Sequence, residues 1–433
     1  MWFIIEQNKR KTAIFLVILT LFFLFFGTAL GFSFSGDIYN GNYYGTLIGL
    51  SISIVCFIGI IIYTKFNASH FFLSQVGATP IKKEDLPILY NVVEEMSIAA
   101  SLGFIPKIYI INSEIPNAFS VGVNEKNAAV AVTVGLLSNL NRDELQGVIA
   151  HEIAHIKNLD TLYLMYAGVI FGVVVCVSDT ILRSISRSSS RSSKGNAGIA
   201  VLIALVLAII SPILVRMLYL TISRKREYLA DACACQYTRY PTGLASALNK
   251  ISNFSYSGNK KAVLKNEKIF SGPIVSCMYI HNFLQKEKPS FLDELFSTHP
   301  STKKRIEVLK QMGASDIEEY AKVYSMVVSD KALIKKDNLI KMNIATIPII
   351  IPAAADNSPV ISKDAIQTKE ETPDETFKTE RIIRQREAKD GLKKAMNYTI
   401  ILCDCGTKLK IPPELKISEI TCPNCNKVHK ISV

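Results

Sequence analysis

The strongest chemical signal in the sequence is His151-Glu152-Ile153-Ala154-His155. On a helix, histidines four apart share one face, about 6 Å apart at Cβ. That spacing suits two ligands of one tetrahedral zinc ion. Glu152, beside the first histidine, can act on an attacking water without ligating the metal, as in metal-dependent peptide hydrolysis. The chain has only six histidines, so the pair is not a by-product of composition. A third protein ligand is still needed. Glu227 is the candidate, in SRKREYLADACA, a helix-compatible stretch with no Gly or Pro. Asp231 follows four residues on, on the same face, where it could orient a metal-bound histidine.

A second metal signal lies near the C-terminus. Cys403-Asp-Cys405-Gly and Cys422-Pro-Asn-Cys425 are two knuckles with 16 residues between them. Four thiolates close a structural zinc site, and so small a unit needs such a staple to fold. The first knuckle is CxC rather than CxxC. Nine cysteines in 433 residues are too sparse for a disulfide scaffold. Cys56, Cys176, Cys233, Cys235 and Cys277 read as small packing residues. His299, in THP, has two readings: an oxyanion donor brought to the cleft, or a structural residue before the next helix.

These residues need elements to position them. Asn141 followed by Glu144 is a capping-box start for a helix running through HEIAH. KIYIIN (107–112) and AAVAVTV (128–134) read as strands, with a third strand and turn between them. Residues 218–329 read as mainly helical. Residues 331–398, with a stretch rich in Lys, Glu, Thr and Asp, read as a linker. Residues 399–433 then form the zinc ribbon.

Hydrophobic residues are 49% of the chain and charged residues 20%. That excludes a disordered chain and argues against a purely soluble one. Uncharged runs cover residues 12–36, 38–64, 161–178 and 195–215, each near the ~18–20 residues that span a bilayer. The expected division is a transmembrane pair in 1–64 and a protease domain in 65–160 and 217–330. A transmembrane hairpin, 161–216, is inserted within that domain. Lys9, Arg10, Lys11, Lys65, Arg216, Arg224, Lys225 and Arg226 flank the runs, whereas the first connecting loop has no Lys or Arg. This places the termini and the active site on the cytoplasmic face of the cell membrane. Arg183, Arg187, Arg191 and Lys194 pull the other way for the hairpin. Two crossings between His155 and Glu227 return the chain to one side, so one zinc can collect all three ligands. Only five residues separate His155 from the run at Thr161, about 9 Å of helix, so the site lies near the membrane surface. The net charge of +12 fits attraction to anionic lipid rather than to nucleic acid.

The strings IPNAFSVG, KNAAVAVTVGLLSNLNRDELQGVIAHEIAHIKNLDT, SRKREYLADA and THPSTKKRIEVL resemble the HtpX-type membrane metalloproteases, relatives of the CAAX prenyl protease, over about residues 9–325. The resemblance implies a gluzincin peptidase: His151, His155 and Glu227 on zinc, Glu152 as base. It also implies that Asn117, Ala118, Phe119 and Ser120 lie beside the cleft as a substrate-pairing strand. Ser120 stands where the family usually has Ala, Cys233 and Cys235 replace small residues, and the tail after about Ser329 is outside the pattern. The expected fold is a multi-pass α-helical membrane protein with a mainly α (α+β) gluzincin domain and a small β zinc ribbon. The expected function is a zinc metalloendopeptidase acting on damaged or misassembled membrane proteins. Its partners are polypeptide substrates, the bilayer and a protein recruited by the ribbon. Rival readings are a sensor protease that cleaves one regulator, and a zinc-stabilised scaffold without activity. The intact Glu152 argues against the scaffold.

Overall fold

A computed structural model describes residues 2–35, 43–122, 124–162, 223–254, 300–328, 373–413 and 419–430, with isolated positions at 165–209 and 333. His299 and nearly all of the expected hairpin at 161–216 lie outside the described residues.

Most of each of the first two uncharged runs lies in a long helix, residues 12–35 in α1 (Trp2–Ser35) and residues 44–64 in α2 (Tyr44–Gln75). The two helices cross through small residues. A Cβ on Gly31 would overlap the Gly45 carbonyl oxygen, and one on Gly49 the Gly27 carbonyl oxygen. Only glycine allows this backbone approach, the device by which helices associate where no hydrophobic effect drives them together. The outer faces stay apolar: Val17, Leu21 and Phe25 of α1, and Leu47, Val55 and Ile62 of α2, are exposed. By length and composition α2 is able to cross a bilayer, while α1 carries a shorter apolar stretch, Thr12–Phe25.

Beyond α2 the chain forms a four-stranded sheet in the order β1-β2-β4-β3: β1 (Thr79–Pro80), β2 (Lys107–Ile111), β3 (Ala118–Val121) and β4 (Ala129–Thr133). β2 and β4 are parallel, and β3 pairs antiparallel to β4 with Ala118 opposite Val132 and Ser120 opposite Val130. Alternate side chains go to opposite faces. Ile108, Ile110, Ala118, Val130 and Val132 join the main core. Ile111, Phe119, Val121, Ala129 and Ala131 pack on Ala68, Phe72, Leu73 and Val76 at the end of α2. The end of the apolar helix is therefore packed against one face of the sheet.

The main core collects α3 (Pro87–Ala99), α5 (Arg142–Lys157), α6 (Ser223–Thr238), α7 (Pro241–Ser252), α8 (Thr302–Gln311) and α9 (Ile317–Val327); a short α4 (Val134–Asn139) joins β4 to α5. The expected strands and the helical character of 218–329 are present within the described residues. β1 was not foreseen; two residues leave no periodicity to read.

The linker reading of 331–398 needs correction over its described part, from residue 373 on. Residues Pro373–Ala395 form a helix, α10. Its Ala388 and Leu392, four apart, are buried in the main core, and partly buried Ala395 packs there too. Lys389 reaches Glu114 at 3.2 Å. The many charges on its other faces hid this narrow apolar stripe in the composition. The residues expected to form the ribbon follow as two hairpins, β5 (Thr399–Leu402) with β6 (Lys408–Ile411), and β7 (Glu419–Thr421) with β8 (Val428–Lys430). Asp390 of α10 accepts from Lys408 at 2.9 Å and lies 2.5 Å from Lys410, so the ribbon is tied to a docked helix.

Candidate active site and metal centres

α5 begins as its sequence requires. Asn141 Oδ1 accepts from Glu144 N, and Glu144 Oε2 accepts from Asn141 N, both at 2.9 Å. The Glu144 carboxylate also accepts from Ser246 Oγ (2.6 Å) and Lys250 Nζ (2.8 Å), tying α5 to α7. One turn of this buried helix then presents His151, Glu152 and His155, with α6 supplying Glu227 and Asp231.

Three donor atoms converge. His155 Nε2 lies 3.2 Å from His151 Nε2 and 3.5 Å from Glu227 Oε1, and His151 Nε2 lies 3.6 Å from Glu227 Oε2. Ligands about 2.0–2.1 Å from a tetrahedral zinc stand about 3.3–3.4 Å from one another. The triangle of His151, His155 and Glu227 fits that ion.

The far side of each imidazole faces a buried carboxylate. His151 Nδ1 lies 3.0 Å from Asp231 Oδ1, and His155 Nδ1 lies 3.1 Å from Asp160 Oδ2. Such partners hold the ring orientation and raise ligand basicity. Arg305, 1% exposed, donates to both Asp231 oxygens at 2.8 and 2.7 Å and to Glu227 Oε2 at 3.3 Å. Tyr320 Oη adds a bond to Asp231 at 3.3 Å. Arg226 approaches Asp160 through Nε at 3.6 Å. Burial would lower the His151 pKa, but the Asp231 and Glu227 carboxylates outweigh it and raise it to about 9. Burial opposes the charge on Asp231, yet the Arg305 guanidinium holds its carboxyl below the usual range.

Asp160 and Arg305 were not singled out from sequence. Asp160 follows a turn at Leu159 (φ 58°) that folds the chain back toward His155. Arg305 carried a readable sign: it shares a helical face with the buried Val308 and Leu309, where a charge needs a partner.

β3 also meets the site. Ser120 Oγ donates to Glu152 Oε2 at 2.8 Å. Asn117, Ala118 and Phe119 are buried along the same segment, which is last in the strand order. Thr161 Oγ1 donates to the Gly122 carbonyl at 2.8 Å and ties the end of this strand to the segment after α5. Cys233 and Cys235 are buried, and Asn158 Nδ2 donates to Cys233 Sγ at 3.7 Å.

The ribbon brings its cysteines together. Cys403 and Cys425 sulfurs lie 3.4 Å apart, Cys405 and Cys422 sulfurs 3.6 Å, and all four fall within 4.8 Å of one another. Thiolates about 2.3 Å from a tetrahedral zinc stand about 3.8 Å apart. Gly406 (φ 83°) and Asn426 (φ 60°) close the two knuckle turns in the left-handed region, with amides bonded back to the Cys403 and Cys422 carbonyls.

Comparison with known proteins adds the family. Residues 85–313 match Peptidase family M48. A "Protease HtpX homolog" of Dictyoglomus turgidum is 41% identical over 312 residues, covering 71% of this chain and 94% of that protein. One from Caldanaerobacter subterraneus subsp. tengcongensis is 37% identical over 311 residues, covering 71% and 96%. Among solved structures, "Crystal Structure of S. mikatae Ste24p" matches at a TM-score of 0.37 and 17% identity, over 71% of this chain and 67% of that chain. α9, α10 and the ribbon lie beyond the residues matched by the family. A match over more than half of the chain, with relatives aligned along nearly their whole length, leads to one assignment: the chain belongs to peptidase family M48 and is a metallopeptidase.

Proposed function

We propose that the chain is a membrane-anchored zinc endopeptidase in which His151, His155 and Glu227 hold the metal and Glu152 is the general base. The observation that carries this reading is the triangle of donor atoms from His151, His155 and Glu227, with Glu152 next to His151 in the helix. When bound, zinc polarises the scissile carbonyl and acidifies the attacking water toward neutral pH. Glu152 takes a proton from that water and returns it to the leaving amine. Asp231 and Asp160 hold the Nδ1 edges of the two histidines, which leaves both Nε2 atoms facing one another where they would hold the metal. Residues 117–120 run beside the cleft and align an extended substrate segment.

The glycine-mediated crossing of α1 and α2 and their apolar outer faces support a hairpin that spans the bilayer. Residues 161–178 and 195–215 complete a multi-pass topology. The basic flanks then put the active site on the cytoplasmic face. Because the end of α2 packs under the sheet, substrates are polypeptides at the membrane surface, including damaged or misassembled membrane proteins. The four ribbon cysteines hold a second, structural zinc. That unit offers a surface to a protein partner.

The test is Glu152→Gln in the full chain, solubilised in detergent. Zinc content should be unchanged and cleavage of a membrane-protein substrate should fall by more than about a hundredfold. Residual cleavage within tenfold of the unmodified protein would refute the assignment of the base.

A further inference from the structure

Ser120 is set on the face of β3 that looks toward α5. Its hydroxyl and the Glu152 carboxylate meet at 2.8 Å although 32 positions separate them in sequence. Both residues are buried, at 4% and 2% exposure. The flanking Phe119 and Val121 point to the other face and pack against Ala68 and Phe72 of α2. A slip of one residue would reverse both faces at once, so the strand holds the Ser120 hydroxyl in a single place.

We propose that Ser120 is a positioning residue for the general base. It donates to Oε2 and so leaves Oε1 as the oxygen that exchanges protons with the reacting groups. The proposal rests on the reading of Glu152 as the base. A glutamate side chain has three torsions to order, and a hydrogen bond to its charged form from a rigid strand orders the last of them. The proton ledger closes around Oε1. One O–H bond of the attacking water breaks as Oε1–H forms. Oε1–H then breaks as the amine N–H forms, which regenerates the carboxylate. Ser120 keeps its own proton throughout and is neither nucleophile nor acid.

The experiment uses the full chain in detergent and a short fluorogenic peptide. Ser120→Ala should lower kcat about tenfold, with KM within about twofold and zinc content unchanged. Ser120→Thr, which keeps the hydroxyl, should recover most of the rate. In the Glu152→Gln background, Ser120→Ala should cause no further loss. A readout independent of turnover is the thermal midpoint after chelator treatment: the changes from Ser120→Ala and Glu152→Ala should be non-additive, since both remove one bond. A kcat for Ser120→Ala within twofold of the unmodified enzyme would overturn the proposal. So would an equal loss in the Glu152→Gln background. If Glu152→Gln is inactive while Ser120→Ala is normal, the base stands and only the role of Ser120 falls. If Glu152→Gln stays active, the reading of the base itself falls.

Discussion

Arg305 and Asp231 meet at two points, Nε to Oδ2 at 2.8 Å and Nη2 to Oδ1 at 2.7 Å, with both side chains shielded from solvent. The same guanidinium reaches Glu227 at 3.3 Å through Nη1. One cation thus faces the carboxylate behind His151 and the carboxylate proposed as a ligand. The planar fork matches this two-point geometry, which a lysine cannot reproduce.

Removing one partner of a buried pair leaves an uncompensated charge, at a cost of about 3–5 kcal/mol. Arg305→Leu should therefore lower the thermal midpoint strongly and reduce zinc retention. Arg305→Lys should fall between it and the unmodified protein. Differential scanning fluorimetry with metal analysis reads both, and an unchanged midpoint in Arg305→Leu would contradict the pairing.

The two proposed metal centres should empty independently. Metal analysis of the full chain should give two zinc ions per molecule. Glu227→Ala should leave one, as should Cys422→Ser, because each variant opens one tetrahedral set. Peptide hydrolysis should vanish in Glu227→Ala and stay within about twofold in Cys422→Ser, whose site has no open position for chemistry. Two zinc ions retained by Glu227→Ala would move the third ligand elsewhere.

Docking of α10 predicts a stability effect far from the catalytic site. Leu392 is 5% exposed within the main core. Leu392→Ala should cost about 2–4 kcal/mol, as for other buried leucines. A free linker would give no change in the denaturation midpoint.

In chelator-treated protein, stability should depend on pH through His151. Its folded pKa is raised to about 9, above the ordinary 6.5. A raised folded pKa gives stabilisation that is full below about pH 6.5 and lost as pH climbs through about 9. The thermal midpoint should therefore fall between pH 6.5 and 9.5, and His151→Gln should flatten that fall. An equal slope in both proteins would assign the titration to another group.

What the sequence displays is what local spacing controls. The capping box of Asn141 and Glu144, the shared face of His151 and His155, and the four-residue step from Glu227 to Asp231 are all short-range, and each is present in the fold. Short runs that alternate or stay apolar and carry β-branched residues likewise mark β2 and β4. Asp160 and Arg305 depend on tertiary approach; Arg305 reaches His151 across 154 positions. α10 failed for a different reason. Its composition is that of a linker, and the few apolar residues that dock it are outnumbered by charged ones.

The pairing of Arg305 with Asp231 bears on the order in which the molecule is made. A chain growing from its N-terminus has His151, Glu152 and His155 early and Glu227 and Asp231 later, but Arg305 arrives 74 positions after Asp231. Until then the carboxylate behind His151 lacks the guanidinium that the folded protein sets against it. With Glu227 as the proposed third ligand, catalytic competence would wait until both hydrophobic stretches between His155 and Glu227 have been synthesised. The chain acquires its cutting edge only after the segments expected to seat it in the membrane have been synthesised.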